Sequence, residues 1–232
     1  VPGERYLDNW HISAIACLLE QCTNRSEKRV AIMLPPRHLK SICVSVAYVA
    51  WLLGHDPRLK IICLSYGLEL ARKFAADCRT VMESDWYQEI FPHTRIDPKR
   101  NSEQELATTA GGFRLSSSVG GSLTGLGANF IIIDDPIKAG DAMSAAERKR
   151  VNEWFRNTVT TRLDQPEHDV IIIATQRTHV DDLVGFVTQD EDWTQLTIPA
   201  IAEVEQTYCI GQGVYFTRPI GDVLHPARIS RE

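Results

Sequence analysis

Three short apolar runs constrain this chain more than any other feature: Val30–Leu34 (VAIML), Phe130–Ile133 (FIII) and Val170–Thr175 (VIIIAT). None alternates apolar with polar residues, so each would be covered on both faces as a strand. That is the pattern of a parallel sheet with helices on either side. Lys60–Tyr66 and Thr194–Ile198 read as two further strands. Helical spacing fills the intervals. Asn9–Glu20 places Trp10, Ile15, Leu18 and Leu19 near one face, an apolar stretch runs from Ser41 to Leu53 and stops at Gly54, and Leu68–Glu83 follows the second strand. Ser144 and Glu147 form a capping box ahead of Val151, Trp154, Phe155 and Val159. The expected fold is α/β, with a mainly parallel central sheet flanked by helices on both faces.

Asp85–Ala110 shows no regular period, and the Gly- and Ser-rich stretch Gly111–Leu126 suggests a hairpin and a mobile loop. Beyond Pro199, Gly211, Gly213 and Gly221 punctuate short alternating pieces that read as a hairpin or linker. The 232 residues, 44% hydrophobic and 24% charged, exclude a disordered or low-complexity chain and suit one large domain with a short appendage. No apolar run approaches the ~20 residues of a transmembrane helix, and Val1–Asn9 carries no signal-peptide core. A net charge of −5 excludes a polybasic nucleic-acid binder, so any such contact must come from a local basic patch such as Lys99–Arg100 or Lys138. The six cysteines, Cys17, Cys22, Cys43, Cys63, Cys78 and Cys209, contain no CxxC pair. They are read as reduced, buried thiols of a cytosolic protein rather than a zinc or redox site.

The chemistry gathers at the strand ends. After Val30–Leu34 come Pro35, Pro36, Arg37, His38, Leu39, Lys40 and Ser41, then a helix. Strand, tight loop, Lys-Ser, helix is the order of a phosphate-binding P-loop. Backbone N–H groups and the helix N-terminus cradle phosphate, the lysine neutralises it, and the hydroxyl holds Mg²⁺. Leucine stands at position 39, where the pattern wants glycine, and the first glycine is missing as well. An exposed lysine beside a helix cap would read the same way. Phe130–Ile133 runs into Asp134 and Asp135, at the distance where a P-loop fold places its metal-binding acid. The plainer alternative is a cap on the turn at Pro136. Val170–Thr175 ends in Gln176 and Arg177, polar groups at a third strand tip.

The set PPRHLKS, GGSLTGLGANFIIIDDP and ATQRTHVDDL, in this order, resembles the ATPase domain of phage terminase large subunits, the motors that pump genomic DNA into preformed capsids. The likeness runs from Arg5 to about Ile201. It implies a P-loop NTPase of the additional-strand type over residues 1–200, with 201–232 as a linker or hairpin leading to an absent nuclease domain. By position it implies that Pro36, Arg37, His38, Leu39, Lys40 and Ser41 bind ATP. Ser41 and Asp134 would hold Mg²⁺, Asp135 would orient the attacking water, Arg37 would respond to the γ-phosphate, and Gln176 would couple hydrolysis to movement. Trp10, in the segment that holds adenine, would stack on the base. Double-stranded DNA, a portal protein, a small terminase subunit and a ring of copies in the host cytoplasm are the implied partners and setting.

Three positions depart from the resemblance: Leu39, Asp135 where many members carry glutamate, and Leu126 where many carry an arginine. Arg114, Arg162 and Arg177 remain as substitutes for the last. Asp181–Asp182 is expected to cap a helix rather than bind a second metal, so no nuclease activity is expected. The leading reading is an ATPase that translocates DNA. The alternative is a degenerate nucleotide-binding or assembly module with little hydrolysis. A helicase-type ATPase is disfavoured by the lack of a second RecA-like domain.

Overall fold

In the computed structural model the described residues are 6–123, 125–190 and 192–226. Residues 1–5, Thr124 of the Gly-rich loop, Glu191 and residues 227–232 of the expected linker lie outside them. Helix α1 (Trp10–Thr23) precedes β1 (Arg29–Met33), and a π-helical turn (Ile42–Ala47) runs into α2 (Tyr48–His55). Then follow β2 (Lys60–Ser65), α3 (Leu68–Glu83), α4 (Asp85–Ile90), β3 (Ile96–Asn101), β4 (Glu105–Thr108) and β5 (Phe113–Ser118). The second half carries β6 (Phe130–Asp134), α5 (Ala145–Trp154), β7 (Val170–Thr175), α6 (Leu183–Asp190) and β8 (Thr194–Thr197). A hairpin of β9 (Gln206–Gly211) and β10 (Val214–Arg218) completes the order.

Eight strands form one sheet in the order β3-β4-β5-β2-β6-β7-β1-β8, parallel except where β4 runs against β3 and β5. The non-alternating strands are covered on both sides. Val30, Ile32, Ile132 and Ile172 pack under α1, α2 and α3, whereas Ala31, Met33, Ile131, Ile133, Ile171 and Ile173 pack with Val151, Trp154 and Leu183 of α5 and α6. Burying each such aliphatic side chain contributes ~1.5–3 kcal/mol, which is why the runs settle at the centre of the sheet.

Three local expectations are corrected. Asp85–Ala110 is not irregular but holds α4, β3 and β4. The strand β3 contains Pro98 and is exposed over most of its length, as an edge strand can be, so it shows no apolar pattern. The hairpin sought within Gly111–Leu126 is formed by β4 and β5, turning at Gly111 and Gly112. A Cβ on Gly112 would lie 2.4 Å from the Pro57 carbonyl, so only glycine fits there. The helix after Ser41 opens with a π turn instead of running as one α-helix to Leu53.

Cysteine chemistry is corrected too. Cys17 of α1 and Cys209 of β9 form a disulfide across 192 residues, their Cα atoms 6.4 Å apart. The pairing is invisible in the spacing because it depends on the hairpin docking on α1. The hairpin is held to α1 and to the chain around it by further contacts. Trp10 stacks on Phe216, and the fully buried Arg218 donates to the carbonyls of Pro199 (2.7 Å), Ala200 (3.0 Å) and Asp222 (2.8 Å). Cys22, Cys43, Cys63 and Cys78 remain thiols, and burial pushes Cys22 and Cys78 up to about 12, which keeps them protonated and unreactive.

Candidate functional site

Because β1, β6 and β7 are parallel and in register, their C-terminal ends share one edge of the sheet. Met33 lies opposite Thr175, and Asp134 opposite Ala174. The strand β7 lies between β1 and β6. Leu34 N–H donates to the Thr175 carbonyl (3.3 Å), tying the start of the loop to the neighbouring tip. The loop then arches over 35–39 with Arg37 at φ +66 and Leu39 at φ +61. Both positions lie in the left-handed region that glycine enters freely and that costs a side-chain-bearing residue ~1–2 kcal/mol. Leu39 therefore adopts the backbone the motif requires without the residue that makes it easy. Its carbonyl accepts from Cys43 N–H (2.9 Å), closing the loop into the helix.

Lys40 is buried, and its Nζ donates to Asp135 Oδ1 at 2.6 Å while lying 3.8 Å from Asp134 Oδ1. Asp134 is held from two sides. Ser41 Oγ donates to Oδ1 (3.0 Å) and Ser45 Oγ to Oδ2 (2.9 Å). Burial pushes the Asp134 carboxyl up to about 6, and neighbouring Asp135 adds to the rise, against the pull of Lys40 and the two hydroxyls. Asp135 follows the strand at φ +46, with its N–H on the Ala174 carbonyl (2.9 Å) and its carbonyl on Tyr66 N–H (3.0 Å). Lys40, Ser41, Asp134 and Asp135 thus meet at one point.

Other expected residues lie around that cluster. Arg37 is exposed on the loop. His38 is buried, its Nδ1 donating to the Pro36 carbonyl (2.8 Å) and its own carbonyl accepting from His11 Nε2 (3.2 Å). Gln176 lines a cleft of about 400 Å³ with Pro35, Pro36, Arg177, Thr197 and Pro199. Trp10 does not join them. Its indole stacks on Phe216 (4.6 Å between centroids, 20° between planes) with Tyr208 4.9 Å away, so its aromatic surface is committed to the hairpin. From this helix it is His11 that reaches the loop.

The arginine substitutes fare unequally. Arg114 is fully buried in β5, with Nη1 on Ser116 Oγ. Arg177 is bonded within the chain to Asp182 (2.9 Å) and to the carbonyls of His179 and Val180. Arg162 donates to the Leu123 carbonyl (3.2 Å), beside the Gly-rich loop. Asp182 is a helix cap, accepting from Gly185 N–H (3.0 Å) at the start of α6.

Sequence reasoning missed Ser45. Its signal was present as a second serine four residues after Ser41, which places both on one helix face. The donor set of two hydroxyls and a carboxylate is hard oxygen, as Mg²⁺ requires, but it is no complete cage. Among the described residues no three His, Cys, Asp or Glu side chains converge on a metal position.

The fold of this chain is thus an eight-stranded, mostly parallel sheet with the loop over 35–41 after β1 and the acidic tip of β6 separated from it by β7. Solved structures of phage large terminases share it. The HK97 bacteriophage large terminase matches 86% of this chain and 41% of its own length at 19% identity, with a TM-score of 0.55. The large terminase of a thermophilic bacteriophage matches 83% and 46% at 13% identity, TM-score 0.54. The same terminase in complex with ATP-gamma-S matches 83% and 45% at 12% identity, TM-score 0.53. The chain spans less than half the length of these proteins. No family model and no curated protein matches the sequence. Among the described residues, no helix is long and apolar enough to cross a membrane.

Proposed function

We propose that this chain is the ATPase domain of a viral genome-packaging motor, hydrolysing Mg-ATP to move double-stranded DNA into a procapsid. The convergence of Lys40, Ser41, Asp134 and Asp135 at adjoining strand tips carries the reading. Lys40 and the loop over 36–41 would bind the β- and γ-phosphates, with Arg37 at the γ-phosphate. Ser41 and Asp134 would hold Mg²⁺, which when bound neutralises charge developing on the phosphoryl oxygens. Asp135 would orient the attacking water, and Gln176, at the neighbouring tip, would report the change to the cleft it lines. DNA contact would be to phosphates, without sequence readout and sensitive to salt. Portal protein, small terminase subunit and a ring of copies are proposed with it, as is a division into an ATPase domain over 1–200 and a linker over 201–232. No nuclease chemistry is proposed, since Asp182 is spent as a cap.

Thermal melting with and without Mg·ATPγS tests the reading. At ~100 times Kd a ligand stabilises by ~2.7 kcal/mol, a shift of roughly 5–10 °C for a domain of this size. The wild type is expected to shift and Lys40→Ala not to shift. Equal behaviour of the two proteins would refute nucleotide binding at this loop.

The left-handed leucine supports a second reading, a weak nucleotide-binding assembly module. Leu39→Gly is expected to tighten ATPγS binding several-fold, because a position without a side chain lets the backbone approach the phosphates more closely, while moving the melting temperature of the free protein by no more than about 2 °C, because the greater freedom of glycine when unfolded offsets the relieved backbone. Titration calorimetry decides it, and unchanged affinity would show that Leu39 does not limit binding.

A further inference from the structure

Ser45 interrupts an apolar helix, ICVSVA, between the buried Val44 and Val46, and is itself 1% exposed. A serine inside a helix commonly returns its hydrogen bond to the carbonyl one turn back. Here the hydroxyl is spent across the sheet edge, on Asp134 Oδ2 at 2.9 Å. An alanine would sit in the same place without a polar atom to bury. The π turn over Ile42–Ala47 coincides with this contact, and such turns recur at functional sites.

The two hydroxyls on Asp134 are not equivalent. Ser41, at the mouth of the helix beside Lys40, is the one that a bound metal and phosphate would share. Ser45 lies one turn deeper and bonds the other carboxylate oxygen. Resting on the function proposed above, we infer that Ser45 is a positioning residue for the Mg²⁺ site: it fixes the orientation of the Asp134 carboxylate so that Oδ1 stays aimed at the mouth of the loop. Partners that orient a metal-binding group in this way typically change metal affinity ~10–100-fold when removed.

The test is the affinity for a fluorescent ATP analogue measured twice for each protein, with excess Mg²⁺ and with EDTA. The ratio of the two dissociation constants isolates the metal's contribution from phosphate binding by Lys40. Ser45→Ala and the near-isosteric Ser45→Cys, a poor donor, are expected to keep the EDTA value within about threefold. Both should lose at least ~10-fold of the Mg²⁺ enhancement. Ser45→Thr, which retains the hydroxyl, is expected to restore the enhancement. Melting of the metal-free proteins reports that each variant is folded, and Ser45→Cys serves should Ser45→Ala fail that check. An enhancement equal to wild type in Ser45→Ala or Ser45→Cys would make Ser45 a packing residue and overturn the inference. A wild type that binds the analogue under neither condition would instead remove the nucleotide site itself, and the inference with it.

Discussion

Asp135→Asn is expected to bind ATPγS about tenfold more tightly than the wild type and to hydrolyse ATP ~10²–10³-fold more slowly. The two effects have one origin. In the nucleotide-free protein the ammonium of Lys40 is already occupied, 2.6 Å from Asp135 Oδ1. Phosphate must take Lys40 from that carboxylate, and the pair is strong enough to matter because Lys40 is almost wholly buried and Asp135 about two-thirds so. Pairs in the open contribute ~0–1 kcal/mol, and removing one partner of a buried pair costs ~3–5 kcal/mol. A value near 1.4 kcal/mol, or tenfold, lies between them. Asparagine keeps the shape, removes the charge, and accepts the positive φ of this position as readily as aspartate. It cannot accept a proton from water, so turnover falls while affinity rises. Equilibrium binding and steady-state hydrolysis on the same preparations decide the matter. Weaker binding would mean that Lys40 is not held in reserve by Asp135, and undiminished hydrolysis would remove Asp135 from the chemistry.

Asp134→Asn is expected to be the more stable protein at neutral pH and to lose Mg²⁺-dependent nucleotide binding. Burial raises the Asp134 carboxyl to about 6 in the fold, against ~3.9 in an unfolded chain. Below pH ~4 the group is protonated in both states and contributes nothing to the balance. As pH rises from there to about 6, the unfolded chain releases this proton while the folded one retains it, so the stability of the wild type falls across that window. Above it the full cost of a buried carboxylate, about 3 kcal/mol for two pH units, is present. Asparagine has no such ionisation and still offers an oxygen to one of the two serines. Denaturant unfolding of the metal-free proteins should therefore give equal stabilities near pH 4 and a gap of about 2–3 kcal/mol in favour of the variant at pH 7.5. Parallel curves across that range would sink the account. A gain of stability with a loss of binding is the trade-off expected where a charge is buried for use rather than for folding.

Much of the architecture is legible without coordinates because its causes are local. VAIML, FIII and VIIIAT cannot be half-exposed strands, and parallel strands carried between helices bring their C-terminal ends to one edge. Lys40–Ser41 and Asp134–Asp135 consequently had to share one edge of the sheet once those runs were parallel strands, and the order β6-β7-β1 then brought them together. The capping serine is similarly local: Ser144 Oγ accepts from Glu147 N–H at 3.4 Å, at the position the spacing implied. Where the sequence misled, the deciding contact was distant or lacked an apolar pattern. The strand β3 is polar and holds a proline, and it exists because β4 offers it an edge.

What the sequence by itself determined is the layered α/β fold, the positions of its main strands along the chain and the polar residues at their tips. Hydrophobic period and turn chemistry act over a few residues and leave their record in the text. Tertiary structure alone decided that Cys17 would find Cys209, that Trp10 would lie under Phe216, that Lys40 would rest on Asp135, and that Ser45 would share Asp134 with Ser41. Each of these joins side chains that are distant along the chain, and their meeting depends on how helices and hairpin dock on the sheet. Packing sets that docking to fractions of an ångström, and a linear pattern carries no record of it.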